Sequence, residues 1–309
     1  MKKILIFGGD GFIGKNLIEE FTQEYELVSV SRTPDENFLN KYSVKFYQCD
    51  VLNNRKKLHF IIQEETPDFV FNLISIVNGA RDFSLLDKMI KINIQTINNL
   101  FDALIKNPNL KLFLQFGSIE EYGNIFSPYK ETDRENPNSP YSLTKQAATN
   151  MSIMMAKTYG FPASVIRCGN VIGKYQNEDK FIPYLIRNFI QNKPVEMSSG
   201  EQKRDYIHVK DFALIIKQIL ENPEKFIGEI INVTSGENYS LREIAEHAKS
   251  FLRSESDIYY GSKTKRSNDP DSLQADIKKL KFFTDYTFQY DTLEALEDYI
   301  NYQLSLNKL

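Results

Sequence analysis

Residues 4–14 read Ile4-Leu5-Ile6-Phe7-Gly8-Gly9-Asp10-Gly11-Phe12-Ile13-Gly14, an apolar run that breaks into a glycine-rich turn and continues into a helix-period segment, Gly14–Phe21. The glycines satisfy G-x-G-x-x-G from Gly9 and G-x-x-G-x-x-G from Gly8. Between a strand and a helix this pattern has a physical use. The glycines allow a tight turn, let the backbone approach a pyrophosphate, and let the helix pack closely on the strand. The helix N-terminus then presents free N–H groups and the positive end of its dipole. Gly8, Gly11, Phe12, Ile13 and Gly14 are therefore the expected dinucleotide contacts.

Working outward, further short apolar runs follow at Leu27–Val30, Val44–Gln48, Phe69–Leu73, Leu112–Phe116 and Ala163–Arg167. Helix-period segments such as Leu86–Ile105 and Leu143–Tyr159 lie between them. Parallel strands need such crossovers, and continuous Ile/Leu/Val/Phe runs fit strands covered on both faces. The expected class is α/β: a Rossmann-type, doubly wound parallel sheet with a smaller C-terminal α/β substrate-binding lobe. Residues 1–166 would form the dinucleotide-binding domain, completed by about 205–233, and 167–309 mainly the substrate lobe. In the second half, Phe181–Gln191 and Asp211–Leu220 read as helices and Glu229–Val233 as a strand. Ser240-Leu241-Arg242-Glu243 is a capping box opening a helix, and Asp291-Thr292-Leu293-Glu294 starts another. Gly261–Asp271 is polar and reads as a loop.

The end of the second strand bears on the cofactor. An acidic residue there grips a ribose 2′-hydroxyl, whereas an arginine accommodates a 2′-phosphate. The sequence reads Val28-Ser29-Val30-Ser31-Arg32-Thr33, with no carboxylate before Asp35. Ser31 and Arg32 favour NADP(H) through charge-assisted hydrogen bonds. NAD(H) remains open if Arg32 is a solvated loop residue and Asp35 or Glu36 bends back to the ribose.

Tyr141-Ser142-Leu143-Thr144-Lys145 puts a phenol and an ammonium on one face of a helix start. A free phenol has a pKa of about 10, and a neighbouring cation favours its ionised form. Tyr141 is thus a candidate proton donor to a ketone oxygen, or acceptor from an alcohol, in step with hydride transfer to or from nicotinamide. An exposed i,i+4 pair is the plainer alternative.

With these features the sequence resembles the extended short-chain dehydrogenase/reductases, in the branch that modifies nucleotide sugars. The resemblance runs through nearly the whole chain. It takes in Cys49-Asp50-Val51, Asn93, Phe116-Gly117-Ser118-Ile119-Glu120-Glu121-Tyr122-Gly123, Arg167-Cys168-Gly169-Asn170-Val171-Ile172-Gly173 and Arg204-Asp205-Tyr206-Ile207-His208-Val209. It implies that Asp50, with Val51 beside it, holds the adenine, that Ser118 hydrogen-bonds the reacting oxygen, and that Lys145 supports both Tyr141 and the nicotinamide ribose. It also implies that Arg204 and Arg266 contact the substrate diphosphate, with Asn170 adding an amide and Phe181-Ile182-Pro183 lining the base pocket. A salt bridge to Asp205 or Asp211 is the alternative for Arg204. Hexose 4,6-dehydratases usually carry a polar or acidic residue before the Glu, where this chain has Ile119. The Gly-Ser-x-Glu-Glu-Tyr-Gly pattern is more similar to 4-keto-6-deoxyhexose reductases. Glu120 then either orients a loop or substrate hydroxyl or moves a proton itself.

The leading expectation is reduction of the C4 ketone of a nucleotide-linked 4-keto-6-deoxyhexose. A 4-epimerase or 4,6-dehydratase on retained NAD is the alternative, and a non-catalytic dinucleotide sensor stands further off. The resemblance also implies a homodimer built on the helices around Leu86–Ile105 and Leu143–Tyr159, with Met89, Met151, Met154 and Met155; core packing within one subunit is the alternative for many of these residues.

Composition closes off other classes. Among 309 residues, Lys plus Arg number 38 against 41 Asp plus Glu, so no basic footprint for nucleic acid exists. Two cysteines, Cys49 and Cys168, and three histidines point away from a disulfide framework or a metal cluster. No apolar run approaches the roughly 20 residues of a membrane span. Gly8-Gly9-Asp10-Gly11 cuts off an N-terminal run that would otherwise suggest a signal peptide. The expected location is the cytoplasm.

Overall fold

In the computed structural model, which describes residues 1–265 and 268–306, short strands and helices alternate from the first residues onward. In chain order the first half comprises β1 (Lys3–Phe7), α1 (Phe12–Phe21), β2 (Glu26–Ser31), α2 (Glu36–Lys41), β3 (Lys45–Gln48), α3 (Arg55–Glu65) and β4 (Phe69–Asn72). Then come α4 (Leu86–Met89), α5 (Thr96–Leu104), β5 (Leu112–Ser118), α6 (Pro140–Tyr159) and β6 (Ala163–Cys168). The second half begins with β7 (Asn170–Ile172), α7 (Phe181–Ile190), β8 (Val195–Met197), β9 (Lys203–Arg204), β10 (Tyr206–His208) and α8 (Val209–Glu221). It ends with β11 (Ile230–Val233), β12 (Tyr239–Ser240), α9 (Leu241–Leu252), β13 (Ile258–Tyr260), β14 (Ser272–Leu273), α10 (Lys278–Phe283) and α11 (Thr292–Leu306).

Seven strands form one parallel sheet in the order β11-β6-β5-β4-β1-β2-β3. Strand order reverses between β1 and β4, which opens a crevice at their carboxyl ends, beside the glycine turn. Successive side chains of a strand point to opposite faces, and the two cores separate accordingly. Ile4, Ile6, Phe69, Phe71, Leu112 and Leu114 pack with Leu17 and Phe21 of α1 and Phe212 and Ile216 of α8. Leu5, Phe7, Val28, Val30, Val70 and Phe113 pack with Leu58 and Ile61 of α3, Ile97 and Leu100 of α5 and Ala148 and Met155 of α6. A third core joins Ile182, Leu185 and Phe189 of α7, Ile244 and Ala248 of α9, and Leu296 and Ile300 of α11.

Three features depart from the sequence pattern. The stretch 86–105 is not one α-helix, because a π-helical turn, Ile90–Gln95, separates α4 from α5. Asn93 sits on that turn and ties it to its neighbours, accepting from the Ile76 N–H at 2.8 Å and donating to the Thr144 hydroxyl at 3.0 Å. Helices α2 and α3 do not show as apolar periods; the buried face of α3 is Leu58, Ile61 and Ile62, and Asn54 caps its start. Met89 and Met155 are buried in the chain's own cores, whereas Met154 is 43% exposed.

The glycine turn is built as its spacing requires. Gly8 has φ +85°, and a Cβ on Gly14 would stand 2.5 Å from the Gly9 carbonyl oxygen and 2.6 Å from Gly9 Cα. Backbone cannot yield there as a flexible side chain can. Gly14→Ala should therefore lower stability by about 1–3 kcal/mol, the usual cost of overpacking, as read by urea titration. An unchanged midpoint would mean that the turn relaxes freely.

Candidate active site

Around the glycine turn the chain offers what a dinucleotide needs. No side chain caps the start of α1, whose N-cap is Gly11, so its first N–H groups are open to an anion. Phe12 and Ile13 pack against the α1-side core. At the end of β2, the Ser29 and Ser31 hydroxyls and one Asp10 carboxylate oxygen are buried without a partner among the described residues. Buried polar groups left this way fit a missing ligand. Arg32 is exposed. Asp35 is committed elsewhere: it pairs with Lys15 at 2.6 Å and caps α2 by accepting the Phe38 N–H. The Asp50 carboxylate accepts the Leu52 N–H at 2.9 Å and the Asn53 amide at 2.9 Å. Asn99 fixes that turn by donating to the Val51 and Leu52 carbonyls. These residues fit a dinucleotide cofactor.

At the carboxyl end of β5, Ser118, Tyr141 and Lys145 come together. Ser139 caps α6 with Pro140 at its first turn, and that start presents Tyr141. The Ser118 side chain stands near enough to the Tyr141 phenol to act on its ionisation. Tyr141 is 5% exposed and Lys145 5%. Burial pushes the phenol above its ordinary range, Glu120 adds to this, and Ser118 opposes it. Burial also holds the Lys145 ammonium below its usual value, against the pull of Glu121. Its Nζ donates to the Phe116 carbonyl. The lysine-acidified phenol expected from Tyr141 and Lys145 is thus not what the protein alone presents. Desolvation dominates, and Tyr141 keeps its proton at neutral pH. Glu120 is half-buried, and its N–H donates to Ser118 Oγ at 3.2 Å. Cys168, across from Ser118 in the sheet, is half-buried with its thiol pushed up to about 12 by burial.

The residues that set this geometry were not among the candidates. Glu121 is fully buried; it accepts the Ser118 N–H at 2.8 Å, the Thr149 hydroxyl at 2.8 Å and Arg167 Nε at 2.9 Å. Arg167, also fully buried, pairs in addition with Glu135 and lies 4.3 Å over the Tyr122 ring. Its side chain faces inward rather than shaping the cleft. The signal was present, because Ser118-Ile119-Glu120-Glu121 is a capping box, and the box forms.

The substrate-side candidates are spread. Arg204 pairs with neither Asp205 nor Asp211; it donates to Asp269 at 2.6 Å and to the Pro270 carbonyl at 3.2 Å. Asp205 accepts from Thr234, Ser235 and Gly236, and burial still pushes its carboxyl up to about 6. Asp211 accepts from Tyr286, Gln289 and Tyr290. The Asn170 amide donates to the Asp205 carbonyl at 3.1 Å, linking β7 to the β9–β10 segment. Ile182 packs into the third core. His208 is structural: Nδ1 accepts the Lys210 N–H, Nε2 lies 3.1 Å from Asp298, and Tyr290 stacks on the ring. Arg266 lies outside the described residues.

A parallel α/β sheet with an open helix N-terminus at its switch point, next to a Ser/Tyr/Lys cluster, defines an enzyme of the dinucleotide-dependent oxidoreductase type. Residues 4–234 match the NAD dependent epimerase/dehydratase family. The chain belongs to that family, within the extended short-chain dehydrogenase/reductases it resembles. It is 24% identical over 312 residues to an uncharacterized UDP-glucose epimerase, YtcB, of Bacillus subtilis, covering 96% of this chain and 95% of the other. It is 28% identical over 255 residues to dTDP-4-dehydro-6-deoxyglucose reductase of Escherichia coli, covering 79% of each. Several further relatives are dTDP-glucose 4,6-dehydratases. The fold matches that of UDP-glucuronic acid 4-epimerase from Bacillus cereus, solved with UDP-glucuronic acid and NAD, with TM-score 0.90, 23% identity, and coverage of 98% and 99%. No helix among the described residues is long and apolar enough to cross a membrane.

Because Glu121 and Arg167 share a dry site, removing one charge strands the other. Arg167→Met should destabilise the protein by about 3–5 kcal/mol, measured by denaturant unfolding. A loss under 1 kcal/mol would show that the pair does not hold Ser118 in place.

Proposed function

We propose that the protein reduces the C4 ketone of a nucleotide-linked 4-keto-6-deoxyhexose with NADPH. The observation that carries this reading is Tyr141, buried beside Ser118 and kept in the protonated form that a ketone oxygen needs from its donor. The bound reduced nicotinamide supplies the hydride. Ser118 orients the substrate O4 with its hydroxyl, and Tyr141 gives that oxygen its proton. Lys145, one helical turn on, is the cation that balances the phenolate left behind. Ile119, 2% exposed and packed with Tyr122 and Tyr129, has no proton to give. A dehydratase with two acting carboxylates fits poorly there, and Glu120 serves to tune Tyr141. Residues 1–166 with 205–233 hold the cofactor, and 167–309 mainly the sugar nucleotide, with Arg204, Asn170 and Arg266 on the substrate side.

For the cofactor, the commitment of Asp35 to Lys15 and to the α2 cap leaves Ser31 and Arg32 as the groups for a 2′-phosphate. Asp50 and Val51 border the adenine side. A homodimer through α4–α6 is part of the reading, supported by exposed Ile90, Leu143 and Met154 on those elements. A second reading, 4-epimerisation on retained NAD, is favoured by the near-complete chain coverage of the two epimerase relatives.

The test mixes the protein with NADPH and a panel of nucleotide-linked 4-ketosugars, following absorbance of the reduced nicotinamide. Stoichiometric oxidation is expected, and Tyr141→Phe should cut turnover by at least about 100-fold, the low end for a lost general acid. Retained NAD without net oxidation would establish the epimerase reading instead, and undiminished turnover would remove Tyr141 from the chemistry. Arg32→Ala should weaken NADPH by about tenfold or more, the scale of one charge-assisted contact, and leave NADH nearly unchanged. Equal effects on both in a fluorescence titration would refute the phosphate assignment.

A further inference from the structure

A lysine of α1 sits in a cage that the second half of the chain completes. Lys15 Nζ pairs with Asp35 at 2.6 Å, and lies 5.0 Å from the centroid of the Phe38 ring and 5.5 Å from that of Tyr175. Phe38 belongs to α2, whereas Tyr175 follows β7. The two rings meet edge to face with centroids 5.5 Å apart. Tyr175 is fixed from several directions. Its hydroxyl donates to Glu19 of α1, which Tyr42 and Lys174 also reach. The Asn16 amide, also on α1, donates to the Lys174 carbonyl at 2.9 Å. The Tyr175 backbone has φ +64°, a left-handed conformation that a bulky residue adopts only where its surroundings impose it. The ring is therefore held against the lysine despite a strained backbone.

Lys15 acts on the loop that follows β2. Asp35 lies three residues after Arg32, and its N–H donates to Asp10 Oδ1 at 3.1 Å, which places it beside the glycine turn. One Asp35 oxygen caps α2 through the Phe38 N–H, and the other goes to Lys15. Lys15, and after it that cap, hold the carboxyl below its usual range. A free carboxylate in this corner disfavours NADPH in two ways. It repels a 2′-phosphate, and it accepts from the ribose hydroxyls that NADH offers instead. Asp10, Glu36 and Asp50 border the same loop, and Arg32 acts on the Asp50 carboxyl. Arg32 thus shares the corner with several carboxylates, and Lys15 neutralises one of them. Selectivity gains as much from withholding a competing group as from supplying an attractive one.

We propose that Lys15, seated between the Phe38 and Tyr175 rings, is a positioning residue that decides cofactor choice: it withholds the Asp35 carboxylate from the cofactor ribose and so sets the preference for NADPH over NADH. The proposal rests on the reading of this protein as an NADPH enzyme. Lys15 acts through Asp35 rather than on the phosphate, and Tyr175 brings the second half of the chain to bear on a choice made in the first.

Fluorescence titration of the full chain with NADPH and with NADH, read as the ratio of the two affinities, tests it. Lys15→Met keeps an unbranched side chain and removes the charge. It should lower the NADPH-to-NADH ratio by about tenfold, the scale of one charged contact. In an Asp35→Asn background the cap acceptor stays and the charge is gone. There the same substitution should change the ratio by less than about twofold, because its effect runs through Asp35. Tyr175→Gly suits the left-handed backbone and removes the ring. It should lower the ratio by about threefold, the weight of one exposed cation–π contact, while Tyr175→Phe should keep the wild-type ratio. An unchanged ratio in Lys15→Met or Tyr175→Gly, or a parallel loss of both cofactors, would overturn the proposal. An equal fall in both backgrounds would overturn it in favour of a direct contact between Lys15 and the phosphate. A wild type that binds NADH at least as tightly as NADPH would bring down the NADPH reading and the inference with it. A wild type that prefers NADPH, matched by Lys15→Met, would bring down the present inference alone.

Discussion

The buried ion pair between Glu121 and Arg167 is the contact on which the site depends. One Glu121 oxygen takes the Ser118 N–H and the other takes Thr149 and Arg167, so a single carboxylate joins β5, α6 and β6. A charge moved out of water is tolerated only where every lone pair is used. That demand makes the arrangement nearly rigid. Ser118 is presented by backbone locked from beneath, and Thr149 lies two helical turns along α6 from Tyr141 and locks the helix that presents the phenol. Swapping the pair for apolar groups of similar volume would keep the packing but release this register, since a satisfied polar network specifies one arrangement.

The electrostatics of the cluster follow from the same dryness. In water a nearby ammonium would acidify a phenol, but here burial pushes the Tyr141 phenol up and holds the Lys145 ammonium down. The phenol stays neutral, and the Lys145 ammonium is stabilised by a strand-end carbonyl. Carbonyl groups toward the carboxyl ends of parallel strands face the crevice, so the fold that makes the cofactor site also supplies the acceptor that the buried Lys145 uses. Fold and chemistry share one cause.

Sheet strands were legible because both faces are covered: continuous apolar runs such as Phe69–Leu73 and Leu112–Phe116 admit little else. The glycine turn was legible because backbone contact at Gly14 leaves no room for a side chain. What stayed hidden shares a different property. Helix α3 buries only one narrow stripe, and the π turn at Ile90–Gln95 arises from side-chain bonds of Asn93 to distant segments, which no local period records. Tyr141, Lys145 and Ser118 could be read from type and spacing, yet their ionisation could not, since it depends on burial. Glu121 and Arg167 read as ordinary charged residues until the fold brings them together in a dry place.

The two arginine–carboxylate contacts, Arg167 with Glu121 and Arg204 with Asp269, differ in how deeply each is tied into the fold. Glu121 is fully buried and gives its oxygens to three donors, one of them the Ser118 N–H that closes the capping box, so no ligand could offer Arg167 a better partner without dismantling β5. Asp269 makes one close hydrogen bond among the described residues and sits on a loop that retains some contact with water. Removing it from Arg204 unmakes one charged contact and exposes a carboxylate that water can solvate. The two ion pairs differ less in distance, 2.9 against 2.6 Å, than in how many other bonds the carboxylate makes.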